Sequence, residues 1–266
     1  MLKVKSKVSE KFLNKTISIL ITNVCNRSCG GCSQMCGSIP DDKLWNISIE
    51  QLCCNIETCL KYNIKFSLFG GEPTVHPEWL KIKEVLYEYE PEIISVFTNC
   101  TTKETSHRNI KFVPDPMENK YKRTFFPTGM AAFDVLPKEK DFWKLAQKHC
   151  LMWNNCHAII YNNKVYYCEI AAAMDWVLTG GKNGWIFDPN KNPLDRSCDK
   201  ISSQAAKFCY RCGWCIPDDV REKQHVKKPT MYTETNSDLY KFGRNNLVQI
   251  SNLCNNIQNG RDDVDN

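Results

Sequence analysis

The chain has 266 residues and a mass of 30.8 kDa, enough to bury a core as one large domain or one domain with a small appendage. Hydrophobic residues make up 42% of it, as in a globular protein, and the longest strongly apolar run, residues 17–21, is far too short to span a membrane. The formal net charge of +5 is divided between Lys-rich ends and an acidic tail, which argues against nucleic acid as a partner.

In chain order, the N-terminal lysines are followed by neither an apolar signal core nor a small-residue cleavage site, so a cytoplasmic protein is expected. Residues 17–22 read as a buried strand. Ser48, Ile49, Glu50 and Gln51 fit a capping box opening a helix, with Ile49, Leu52, Cys53, Ile56 and Leu60 on one face. Residues 64–69 form a second predicted strand. Pro77 suits a first helical position, and Trp79, Ile82, Leu86 and Tyr89 follow at helical spacing. Residues 93–98 and 110–113 are predicted as third and fourth strands, and Phe142, Leu145, Ala146 and His149 mark another amphipathic helix. Alternating strands and helices predict an α/β fold with parallel strands joined by crossover helices.

From Cys150 to Cys215 the composition shifts to Cys, Trp and Gly, and seven of the sixteen cysteines fall there, which predicts a small metal-organised subdomain. From about Arg221 the chain is polar and Asn-rich, as expected of a partly disordered surface extension. The expected divisions are therefore 1–149, 150–220 and 221–266.

Sixteen cysteines are anomalous in a cytoplasmic chain. A disulfide scaffold needs an oxidising compartment and usually a shorter chain, so closely spaced reduced thiols point to metal or iron–sulfur ligation. Cys25, Cys29 and Cys32 give C-x3-C-x2-C directly after the first strand. Three thiolates hold three irons of a cubane and leave the fourth open to an outside ligand, whereas an electron-transfer cluster normally takes four protein ligands. A zinc site completed by a distant fourth ligand is the competing reading. Cys36 lies close by and is taken as a bystander.

This motif resembles that of the radical S-adenosylmethionine (SAM) superfamily. The resemblance implies a 4Fe–4S cluster whose open iron binds the amino and carboxylate groups of SAM. It further implies reductive cleavage of SAM to a 5′-deoxyadenosyl radical that abstracts a substrate hydrogen. Gly70, Gly71, Glu72 and Pro73 after the second strand are similar to the family's GGEP segment, which implies contact with the methionine amino group. Glycines allow close backbone approach to a ligand, and a carboxylate accepts from an ammonium. Thr98 and Asn99 end the third strand and resemble the Thr-Asn-Gly segment near the SAM ribose, with Cys100 in place of glycine. All three segments fall at the C-terminal ends of consecutive predicted parallel strands, where α/β folds place their sites. The implied fold is a partial, open β/α barrel, shorter than the usual six units.

Cys156 and Cys168 stand at the two ends of a predicted hairpin turning at Asn162 and Asn163, a pair that tolerates positive φ. Cys209, Cys212 and Cys215 add a C-x2-C-x2-C run. This arrangement resembles the SPASM/Twitch extension of radical SAM enzymes, in its shorter Twitch form. The resemblance implies a second, auxiliary 4Fe–4S cluster on Cys156, Cys168, Cys209 and Cys212. Cys215 competes with its two neighbours, and Cys150 and Cys198 are weaker candidates. Four thiolates also satisfy a structural zinc.

The five histidines form no ligand pair, and Asp134 and Asp175 read as capped turns rather than substrate contacts. Cys53, Cys54 and Cys59 read as helix-face packing. The expected activity is hydrogen abstraction from a carbon of a small-molecule, carbohydrate-type substrate, followed by oxidation or rearrangement, with flavodoxin or ferredoxin as electron donor. A peptide-modifying enzyme is the alternative, weakened because 24 residues before Cys25 are too few for a leader-binding module. A non-catalytic iron–sulfur or zinc protein for electron transfer or assembly is the alternative of another class.

Overall fold

The computed structural model describes residues 16–27, 32–89, 93–102, 112–114, 129–150, 158–194, 198–227 and 233–240. Strands β1 (Thr16–Thr22), β2 (Lys65–Gly70), β3 (Ile93–Thr98) and β4 (Phe112–Pro114) lie parallel and side by side in chain order. Helix α1 (Ile49–Lys61) joins β1 to β2, and α2 (Trp79–Glu88) joins β2 to β3. Ser48 caps α1 as its sequence demands, its Oγ accepting from the Gln51 N–H at 3.2 Å. Period-two alternation sends Ile17, Ile19 and Ile21, with Phe66, Leu68 and Val96, onto one face of the sheet. There they pack against Leu52 and Ile56 of α1 and Ile82 and Leu86 of α2. Cys59 is buried in this layer, and burial pushes its thiol up to about 12.

Helices α3 (Ala132–Val135) and α4 (Phe142–His149) lead to the hairpin of β5 (Ile159–Tyr161) and β6 (Lys164–Tyr166), and β7 (Trp185–Ile186) pairs with β6. The turn has Asn162 at φ 57, the left-handed conformation that asparagine tolerates. The hairpin does not stand apart. β5 pairs in parallel with β1 on the side opposite β2, Ile160 facing Ile19, so the sheet runs β4-β3-β2-β1-β5-β6-β7. The fold is mixed α/β with a mostly parallel sheet that does not close on itself.

Helix α5 (Glu169–Thr179) covers the second face. Its residues Glu169 to Val177 are all buried, because it lies between the sheet and a layer of cysteine-bearing segments. Ala172 and Trp176 pack on Leu20, Ile159, Tyr161 and Tyr166, while Ile170, Ala173 and Met174 face Phe208, Cys209 and Ile216. A helix apolar all round carries no 3.6-residue stripe, so periodicity passed over it. Its Asp175 is fully buried and accepts from Tyr166 Oη at 2.8 Å, Thr179 Oγ1 at 2.6 Å, Asn183 N at 2.8 Å and Asn183 Nδ2 at 2.7 Å. That carboxylate staples a turn, as expected.

Helix α6 (Cys198–Phe208) and α7 (Asp218–Lys227) flank two short 3-10 turns that carry Cys209 and Cys215. The last described segment, Thr233 through α8 (Ser237–Tyr240), departs from the surface extension expected there. Leu239 is fully buried in the core, Arg211 pairs with Asp238 at 2.9 Å, and Asp134 accepts from the Thr235 N–H at 2.9 Å. Among the described residues no helix is long and apolar enough to cross a membrane.

Candidate functional site

The C-terminal ends of β1, β2 and β3 are drawn together by close backbone approach. Gly71 N donates to Thr22 O at 2.8 Å and Glu72 N to Val24 O at 2.9 Å, which fixes the Gly-Gly-Glu-Pro segment to the loop bearing Cys25. A Cβ on Gly71 would sit 2.0 Å from Val24 O, and one on Gly70 2.6 Å from Thr22 O. Both glycines are therefore required by the packing of one strand end on another, a reason distinct from ligand approach.

Glu72 is fully buried, and its carboxylate binds the next strand end. Oε1 accepts from Thr74 N at 3.1 Å, Thr74 Oγ1 at 2.6 Å and Thr98 Oγ1 at 2.7 Å, and Oε2 accepts from Asn99 N at 2.6 Å. Pro73 opens the 3-10 turn that Glu72 caps. Asn99 Nδ2 in turn donates to Asn26 Oδ1 at 2.8 Å and points at Cys25 Sγ from 3.8 Å. The three motif segments thus form one hydrogen-bonded unit, Glu72 to Asn99 to the Cys25 loop. Cys100 adopts φ 55, the conformation that glycine takes readily, at the position where it stands in glycine's place.

Cys25 is buried and Cys32 half-buried in this unit, while Cys29 lies outside the described residues. Cys36, taken as a bystander, is the surprise. It is buried at 1% exposure, and the neighbouring Cys25 and Cys32 thiols and then burial hold its own thiol well above the usual range. Gln34, between Cys32 and Cys36, is 3% exposed, and among the described residues neither its Nε2 nor its Oε1 has a hydrogen-bond partner. An amide desolvated without partners costs stability. Soft thiols are the donors that iron–sulfur clusters and zinc take, and Cys25, Cys32 and Cys36 supply three of them in this stretch of chain.

The second cysteine cluster lines a small, largely apolar cavity of about 20 Å³. Cys150, Cys168, Cys209, Cys212 and Cys215 line it, together with Tyr167, Met174 and Phe208. Cys156 lies outside the described residues, as does the side chain of Cys198, so the structure adds Cys150 to the expected set. Cys215 donates to the carbonyls of Cys209, at 3.4 Å, and Cys212, at 3.2 Å, and so is held as a thiol against backbone. Burial pushes Cys209 up to about 12, and Cys168 and Cys212 well above the usual range, so without a metal these thiols stay protonated. Tyr167 Oη lies 3.1 Å from Cys209 Sγ. A single zinc needs its ligands within about 2.3 Å of one point. Among the described residues no three His, Cys, Asp or Glu are placed to hold a metal ion, at this cluster or at the first.

No family model matches the chain. Nor does any curated protein. Sequence reasoning set Cys36 aside as a bystander, ranked Cys150 as a weaker candidate and did not single out Gln34 or Tyr167. For Cys36 a signal existed: Cys25, Cys29, Cys32 and Cys36 run C-x3-C-x2-C-x3-C.

Proposed function

We propose that the protein is a radical SAM enzyme acting on a carbon centre of a small-molecule substrate, with a second iron–sulfur cluster in its cysteine-rich layer. The observation that carries the reading is the hydrogen-bonded unit of the Cys25 loop, Glu72 and Asn99 at the C-terminal ends of three adjacent parallel strands. When bound, a reduced 4Fe–4S cluster with one open iron supplies the electron that cleaves the sulfonium bond of SAM. Cys25, Cys29 and Cys32 would hold it. Glu72 fixes Asn99 through the backbone, and Asn99 orients the Cys25 loop, so the ligand sulfurs are pre-positioned rather than recruited. Gln34 offers a buried donor and acceptor to the polar groups of SAM. Cys150, Cys168, Cys209 and Cys212 would hold the auxiliary cluster, which suits a two-electron oxidation by accepting an electron from the substrate radical. A cytoplasmic location and a flavodoxin or ferredoxin donor belong to this reading.

The test is anaerobic reconstitution of the full chain, then assay of 5′-deoxyadenosine with SAM and dithionite, in wild type and Cys32→Ala. About eight irons should fall to about four in the variant, with SAM binding and 5′-deoxyadenosine lost. A fully loaded wild type that binds no SAM would overturn the proposal. The second reading, a four-thiolate electron-transfer protein, is favoured by Cys36 alone.

A further inference from the structure

Beside the cysteine-rich layer the surface holds an open cleft of about 520 Å³, a size ordinary for a small-molecule site. It lies between α3, the start of α4, the turn after α6 and the segment before α8, and none of its lining residues is a cysteine. Phe133 and Phe142 form an apolar wall, their ring centroids 6.4 Å apart and their planes at 59°. Phe133 is 44% exposed and lends the cleft an open ring face. The polar lining is held in place by the fold. Glu139 Oε1 accepts from Lys140 N and Asp141 N, both at 2.8 Å. Arg211 donates through Nε to Tyr210 Oη at 3.0 Å, and through Nη1 to Thr235 O at 3.1 Å and Asp238 Oδ1 at 2.9 Å. Its guanidinium also sits 5.5 Å from the centre of the Tyr210 ring. Among the described residues this leaves Glu139 Oε2 without a donor, and Arg211 Nη2 and the Tyr210 hydroxyl proton without an acceptor.

We propose that this cleft binds a neutral, polyhydroxylated ring compound of the sugar type, as a free small molecule. The lining selects against ions. An anion would meet the Glu139 carboxylate, and Arg211 already has Asp238 as its counter-ion; a cation would meet the Arg211 guanidinium. A hydroxyl group suits both sides, because the same group accepts from Arg211 Nη2 or Tyr210 Oη and donates to Glu139 Oε2. The C–H face of a saturated ring carries slight positive charge and packs on the electron-rich faces of Phe133 and Phe142. Glu139 and Arg211 are fixed by their own bonds before a ligand arrives, so little side-chain freedom is lost on binding. The site uses neither cysteine cluster, and the inference stands apart from the radical SAM reading.

The experiment measures binding of the methyl glycosides of glucose, galactose and mannose to the full chain by saturation-transfer NMR, with choline and cyclohexanecarboxylate as cationic and anionic probes. At least one glycoside should bind, and more tightly than either ion. Phe133→Ala and Glu139→Gln should each raise its Kd by about tenfold, through loss of a packed ring face or of a charge-assisted hydrogen bond. Phe133 is exposed, and glutamine at 139 keeps both bonds at Oε1, so the two variants should unfold at the wild-type temperature. The change in Kd then reports contact rather than folding. Absence of binding by all three glycosides at tens of millimolar would overturn the inference. So would a glycoside whose Kd neither substitution moves, or tighter binding of choline or cyclohexanecarboxylate than of every glycoside.

Discussion

Replacing Glu72 by glutamine tests whether this buried carboxylate is a tie between strand ends. The side chain accepts four hydrogen bonds, three at Oε1 and one at Oε2. Glutamine has one acceptor, so its cheaper orientation keeps the Oε1 bonds and turns its amide N–H2 toward the Asn99 N–H. The lost charge-assisted bond is worth about 1.5–3 kcal/mol, and the part-buried Asn99 N–H left without an acceptor about 1–3 more. A total of about 2.5–6 kcal/mol lowers Tm by roughly 5–24 °C in a domain of this size. The assay is anaerobic thermal unfolding followed by circular dichroism, with iron counted before the scan. Asn99 should lose its register at the same time, so the variant should bind less iron at the first site and retain it at the second. A Tm within about 2 °C of wild type would refute the assignment of Glu72 as a structural tie, since that shift is under about 1 kcal/mol.

Gln34→Met removes two orphaned buried polar atoms at nearly constant volume, so Tm should rise by a few degrees while SAM affinity falls; loss of stability would show that the amide is satisfied in solution. Tyr167→Phe removes the hydroxyl 3.1 Å from Cys209 Sγ. A hydrogen bond of about 1 kcal/mol favours the reduced cluster by about 40 mV, so redox titration should find the second couple lower by that amount and the first unmoved. His76 is buried, with Nδ1 accepting from Glu78 N and Nε2 bonded to Ile47 O, and burial holds its pKa below the ordinary 6.5. The unfolded chain therefore takes up the proton first as pH falls, and stability that is complete above about pH 6.5 declines below it. Urea unfolding between pH 5 and 7.5 should show that slope, and His76→Gln should flatten it.

The local signals in the sequence determined most of the elements. The capping serine, period-two isoleucines and Asn-Asn turn each appear where the pattern placed them, because capping, alternation and positive φ are properties of a few adjacent residues. The convergence of Cys25, Glu72 and Asn99 was legible too, since parallel strands in chain order put successive C-terminal ends side by side. What sequence could not decide is which distant segments meet. The pairing of β5 with β1, the burial of Leu239 and the inclusion of Cys150 depend on long-range packing that leaves no periodicity in any one segment. Glu72 shows the same division. Its position was readable as a ligand contact, but only the tertiary structure reveals that Thr74, Thr98 and Asn99 spend its carboxylate inside the protein. Likewise only the tertiary structure shows Cys36 buried beside a left-handed Met35.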